Sequence, residues 1–468
     1  MPSTSVHIRA DSPELAAALA EITRELPREF PADVQAEAQA IAADATLPEL
    51  DRTDVEFVTI DPPGSTDLDQ ALFLNRSGDG YRVLYAIADV PAFVEPGGLL
   101  DAEARLRGQT IYAPDGRIPL HPAVLSEGAA SLLPGQLRGA FVWDFELDAA
   151  ARVTTSRVYR ARVQSREQLD YGTAQQRLDD GSASPVLQLL KEVGLKRIAL
   201  EQERGGASLG TQETEVSLVN GSYVLERRTP HPIENWNAQL SLMTGMAAAK
   251  MMLDAGVGIL RTMPPADDAA VDRFRRQTRA LGTPWPAEQR YGDYLRGLDT
   301  TDPQQLAIMH AAASLFRGAG YSAFDGAPPA HTEQAAVAAP YAHVTAPLRR
   351  LVDRFALVVC EALSAGRPVP AWAREALPSL PSAMSRSNQV AGQVDSKTLN
   401  VVEAAVLSGR VGEVFEATVL STGVGYGTLQ VADPPVVARC NGTLEPGALI
   451  SATLETASIQ TGTVLFRA

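Results

Sequence analysis

The chain has 468 residues, 45% hydrophobic and 21% charged, with a formal net charge of −15. That length exceeds one ordinary hydrophobic core and implies two to four domains, while the composition excludes disorder along the whole chain. Every 18-residue window carries charge, which argues against a membrane span, and two cysteines, Cys360 and Cys440, are too few for a disulfide framework or a four-ligand zinc site.

The N-terminus, MPSTSVHIRADSPELAAALAEI, has no basic leader, and with the sparse cysteines it leads to the expectation of a cytoplasmic protein with no disulfide-linked partner. Residues 11–45 hold two Ala-rich amphipathic stretches, the first with Leu15, Leu19 and Ile22 at helical spacing, broken at Pro27 and Pro31. They predict a small helical N-terminal domain over residues 1–54, whose net charge of −7 speaks against tight nucleic-acid contact. From residue 55 the pattern alternates, with strands predicted at 55–60, 71–74, 81–87 and 140–147, so the region to about residue 180 is mainly β. Helical periodicity follows at 186–203, 233–255, 266–281, 304–316 and 348–365, interrupted by one β-like interval at 213–226. A Pro-rich linker (367–381) and a polar helical stretch (382–407) lead to a β-rich tail that reads as a small Greek-key barrel over residues 405–468. The chain is thus predicted to be α+β and multidomain, with a mixed α+β body at 55–404.

Two segments carry chemistry. TIDPPGSTDLDQALF, residues 59–73, sets Asp61, Asp67 and Asp69 on a turn between two strands, where short carboxylates can converge on a hard cation that relieves their repulsion. An acidic solvated turn is the plain alternative. YAHVTAPLRRLVDR, residues 341–354, places Pro347 at a predicted first helical turn with Arg349 and Arg350 just after it. Helix amides and arginines there form an anion site, and with metal-binding carboxylates they make a parts list for phosphodiester hydrolysis.

These two motifs, in this order and about 280 residues apart, resemble the signature of the ribonuclease II (RNB) family of 3′→5′ exoribonucleases. Ala86-Ile87-Ala88-Asp89-Val90 and Ser131-Leu132-Leu133 are similar too, and the tail is similar to the OB-type RNA-binding barrel of that family. The resemblance implies an RNB-like catalytic body and hydrolysis of single-stranded RNA from its 3′ end to nucleoside 5′-monophosphates, in a monomer using Mg2+, or Mn2+. By motif, Asp61, Asp67, Asp69 and Gln70 become the metal residues, Asp69 and Arg349 the catalytic pair, and Tyr171, Arg349 and Arg350 the RNA contacts, Tyr171 packing against the terminal nucleotide. The chain departs from the family in three places. Gln70 stands where a fourth aspartate is usual, no aromatic follows Tyr171 within residues 172–222 to complete a base clamp, and residues 1–54 are too short for paired cold-shock barrels. Loss of charge at Gln70 raises the rival reading of a catalytically impaired RNA-binding protein, and a phosphodiesterase acting on DNA or a small nucleotide is a third. Deleting residues 405–468 is expected to weaken RNA binding without abolishing cleavage.

Overall fold

The computed structural model describes the chain except residues 1–4, 10–11, 114–115, 208–212, 220–221 and 432. The leader-free reading of the N-terminus therefore falls partly outside the described residues. Five strands, Phe57–Asp61, Gln70–Ser77, Gly80–Ala88, Leu137–Leu147 and Val153–Asp170, form a closed barrel in chain order. Closure comes from parallel pairing of the first strand with the last, which sets Asp61 opposite Asp170. Strand Gly80–Ala88 is buried on both faces, and its sequence is accordingly almost continuously apolar. Tyr81, Val83, Tyr85 and Ile87 pack with the helices, whereas Leu84, Ala86 and Ala88 pack with Phe57, Leu68 and Val142.

Helices Pro185–Arg204, Pro232–Ala255 and Leu351–Ser364 bury their apolar faces against this barrel. The first two cross where Gly194 meets Trp236, so closely that a Cβ on Gly194 would lie 2.4 Å from the Trp236 Cβ. A satellite of shorter helices, Asp268–Ala280, Tyr291–Arg296 and Pro303–Ala312, gathers Phe274, Trp285, Tyr291 and Tyr294 into an aromatic cluster. The C-terminal strands Val414–Gly423, Tyr426–Val431, Val436–Asn441, Leu449–Ser458 and Thr463–Arg467 close a second barrel, with the third and fifth strands parallel. Five strands closed in this way are the OB arrangement expected from the sequence.

Three expectations change. The N-terminal helices Pro13–Thr23 and Ala32–Ala43 do not pack as an isolated unit: Leu15 and Leu19 join the core of the C-terminal barrel, and Val34 and Ala38 join that of the first. Strand Ser5–Arg9 pairs with Ser222–Arg228, which itself pairs with Glu213–Val219. The stretch read as a Pro-rich linker is folded, with helix Ala371–Ala376 and buried Leu377 and Leu380, because its prolines stand at helix starts where no amide is needed. No helix among the described residues is long and apolar enough to cross a membrane.

Candidate active site

The acidic turn projects from the first barrel between Phe57–Asp61 and Gln70–Ser77. Its backbone is tied down at both flanks. Ser131 Oγ donates to Thr66 O at 2.7 Å and accepts from Leu68 N at 2.9 Å, while Gln168 Nε2 donates to Ser65 O at 2.8 Å. Asp69 is buried, 3% exposed, and its Oδ1 accepts the Leu348 amide at 2.8 Å. Its Oδ2 lies 3.5 Å from Arg349 Nε, so the two motifs meet at this one carboxylate. Burial pushes the Asp69 carboxyl up to about 8, against the opposing pull of Arg349. Asp61 is pushed up to about 6, first by burial and then by Asp67, and its Oδ2 is buried without a hydrogen-bond partner.

The arginine segment differs from its expected form. Helix Leu351–Ser364 begins after both arginines, with Arg350 as its N-cap. Pro347 and Arg349 lie in the turn before it, and that turn's amides bind the protein's own carboxylates. The Ala346 amide donates to Asp353 Oδ1 at 2.7 Å, and Arg350 forks onto Asp353 through Nε at 2.9 Å and Nη2 at 2.8 Å. Arg350 is thereby committed to a buried ion pair, while Arg349 stays half-exposed. His343 anchors the same segment: it is half-buried, its Nδ1 is 2.7 Å from the Tyr321 hydroxyl, and desolvation lowers its pKa and favours the neutral ring.

Gln70 is likewise engaged. Its Nε2 donates to Thr345 O at 2.8 Å, and its Oε1 accepts from the Tyr85 hydroxyl, which lies 2.8 Å from Ser241 Oγ. The amide therefore links the barrel, the long helix and the arginine turn. Tyr171, the first residue of helix Tyr171–Asp179, follows the Asp170 that faces Asp61; its hydroxyl is pushed up by burial and by Asp61.

The structure also supplies residues that the sequence did not single out. Arg117 binds Asp67 Oδ1 at 2.5 Å and Glu127 at 2.8 Å, and Tyr112 donates to Asp67 Oδ2 at 3.5 Å. Arg117 lies in a three-residue strand with no charge pattern around it, so no local signal marks it. Among the described residues no three His, Cys, Asp or Glu side chains crowd closely enough to ring a cation. The donor chemistry nevertheless fits a hard cation at Asp61 and Asp69. An unpaired buried oxygen on Asp61 is otherwise costly, and two carboxyls raised by burial gain most from a positive partner. Asp67 joins them only on leaving Arg117.

The site thus sets Asp61 and Asp69 on a closed barrel, with the half-exposed Arg349 beside Asp69, in a chain that ends in an OB-type barrel. Residues 50–363 match the RNB domain, and residues 413–468 match the RNase II-type exonuclease C-terminal S1 domain. The chain belongs to the RNB family. It is similar to Ribonuclease R of Escherichia coli (27% identity over 332 residues, 67% of this chain and 40% of that protein). It is also similar to Ribonuclease R of Mycoplasma pneumoniae (35% over 187 residues, 38% of this chain and 26% of that protein). The chain thus spans well under two thirds of these relatives. In fold it resembles the apo form of Mycoplasma genitalium RNase R (TM-score 0.85, 18% identity, covering 97% of this chain and 78% of the other). It also resembles yeast Ssd1, a pseudonuclease (TM-score 0.71, 16% identity, covering 95% of this chain and 57% of the other).

Proposed function

We propose that the chain is a 3′→5′ exoribonuclease that hydrolyses single-stranded RNA to nucleoside 5′-monophosphates with Mg2+ or Mn2+ at Asp61, Asp67 and Asp69. The observation that carries this reading is Asp69 held between the Leu348 amide and Arg349. It is supported by a solved relative, Mycoplasma genitalium RNase R, in complex with ribose methylated single-stranded RNA. A divalent ion bound at these carboxylates supplies Lewis acidity for activating water and for neutralising charge on the leaving oxygen. The carboxylates hold that ion and orient the attacking water. Arg349, the arginine not locked to Asp353, contacts the scissile phosphate and stabilises charge as the P–O3′ bond breaks. The water oxygen stays on phosphorus as part of the released 5′-monophosphate, and the shortened RNA takes a proton on its new 3′-hydroxyl. Tyr171, beside Asp61, packs against the terminal nucleotide.

A second reading, RNA binding without turnover, is favoured by Gln70, whose amide is engaged at both ends and adds no charge. A 5′-labelled unstructured RNA of about thirty nucleotides, followed in magnesium and in EDTA, separates the two. Shortening from the 3′ end in magnesium is expected for wild type, and loss of at least ~1,000-fold for Asp69→Asn, which keeps an oxygen for the Leu348 amide. RNA that shifts in a gel yet stays full length under all conditions sinks the hydrolase reading.

A further inference from the structure

Near the carboxylates each arginine has a carboxylate partner: Arg117 with Asp67 and Glu127, Arg349 with Asp69, Arg350 with Asp353 and Arg354 with Asp101. A groove of about 960 Å³ between helix Asp268–Ala280 and the C-terminal barrel is different. Arg273 and Arg276 line one wall with Gln277 and Ala280, the i, i+3, i+4, i+7 face of the helix, and Arg317 lines it as well. All three arginines are exposed, and among the described residues none makes an ion pair. The opposite wall offers the hydroxyls of Ser421 and Thr422, on the first strand of the barrel. The single acidic lining residue, Asp267, is turned to its own helix, where it caps the Ala270 amide at 2.6 Å.

The two walls are fixed to each other. Gln277 donates to Leu420 O at 3.3 Å and Gln304 to Gly447 O at 3.0 Å. Leu420 is buried in the aromatic cluster of the satellite helices, and a Cβ on Gly447 would sit 2.1 Å from Ala280 O. The groove is therefore rigid before any ligand arrives. In a chain of net charge −15, three unpaired guanidinium forks facing hydroxyl donors across a fixed cleft fit a run of phosphodiesters.

We propose that this groove binds the sugar-phosphate backbone of RNA upstream of the 3′ end being hydrolysed. The proposal rests on the RNA-directed reading of the carboxylate site and adds a second anchoring point to it. Ser421, Thr422 and the arginines read backbone charge and not base identity, so the contact is independent of sequence.

The test uses full-length protein in EDTA and fluorescence anisotropy with two labelled RNAs, of thirty and five nucleotides, over a salt series. Replacing Arg273, Arg276 and Arg317 together by alanine is expected to weaken the thirty-nucleotide RNA at least tenfold. It should also lower the magnitude of the slope of log K against log salt by about 2, three phosphates at ~0.7 each. The five-nucleotide RNA should bind as before. Arg279→Ala, which removes the same charge from the same helix outside the groove, should match wild type. An unchanged slope and affinity for the long RNA, or an equal loss with both RNAs, overturns the groove while leaving the hydrolase reading intact. A labelled polyglutamate peptide that binds tighter than RNA and is lost in the triple variant also overturns it. Wild type that binds neither RNA overturns the underlying reading as well.

Discussion

Glu403 shows how strongly a single buried group conditions this molecule. It lies on helix Leu380–Leu407, 4% exposed, and its Oε1 accepts the Val437 amide of the C-terminal barrel at 3.2 Å. Burial pushes its carboxyl up to about 7. The folded state therefore holds a proton that the unfolded chain releases near 4.5, so the stability it contributes at low pH is lost as pH rises from 4.5 through 7. Glu403→Gln is expected to leave stability near wild type at pH 4.5 and to raise it by about 1–3 kcal/mol at pH 8. Urea unfolding at the two pH values checks this, and an equal effect at both refutes it. Such groups also mark what a sequence conveys at this scale. Asp61, Asp67 and Asp69 were legible because Pro62, Pro63 and Gly64 announce a turn between apolar strands. Arg117 was not, since its meaning comes from Asp67, 50 residues away in the chain. Arg350 and Gln70 stood out as candidate-site residues by their motifs, yet not as residues turned toward protein partners, because the motif does not show Arg350 folding onto Asp353 and Thr345 lies 275 residues from Gln70.

At the scale of elements, the long helix Pro232–Ala255 governs the arginine turn through one glycine. A Cβ on Gly245 would lie 2.1 Å from Tyr341 Cε2 and 2.5 Å from Ala342 O, and its carbonyl accepts the Ala342 amide at 3.1 Å. Gly245→Ala is expected to displace the turn that carries Arg349 and to lower turnover by roughly 10- to 100-fold, while helix content by circular dichroism holds. Wild-type turnover would show that the turn finds its place without this contact. Most helices could be read from their period, since Leu, Val and Ala recur at helical spacing in 185–204 and 351–364. The eighteen-residue strand Val153–Asp170 was only implied, because arginines at 157, 160 and 162 interrupt its apolar alternation while their stems and charges pair with Asp144, Asp89 and Asp51. The start of helix Leu351–Ser364 was misplaced because Pro347 suits a first turn equally well as the turn before it.

For the whole molecule, the barrels are not beads on a string. The C-terminal barrel shares its core with Leu15 and Leu19 of the first helix and with Val401, Val402 and Leu407 of the last, and it inserts Leu420 into the satellite helices. Removing residues 405–468 therefore exposes apolar surface on several elements. The expected outcome is an aggregation-prone protein that binds a hydrophobic dye, in place of a soluble enzyme with weaker RNA affinity. A truncated chain that stays monomeric with the melting temperature of the full chain would refute this. An OB-type barrel was foreseeable from glycine-rich hairpins; its fusion to the N-terminus was not, because core sharing leaves no local trace in sequence.

The bond from the Leu348 amide to Asp69 spans 279 residues, and this gap has a consequence during synthesis. At about 5–20 residues per second, a ribosome takes roughly 14 to 56 seconds to travel from codon 69 to codon 348. Throughout that interval the acidic turn exists without the segment that completes it. On the proposed hydrolase reading, a nascent chain tethered beside its own messenger has no finished site, and competence arrives only once the segment around Leu348 has emerged.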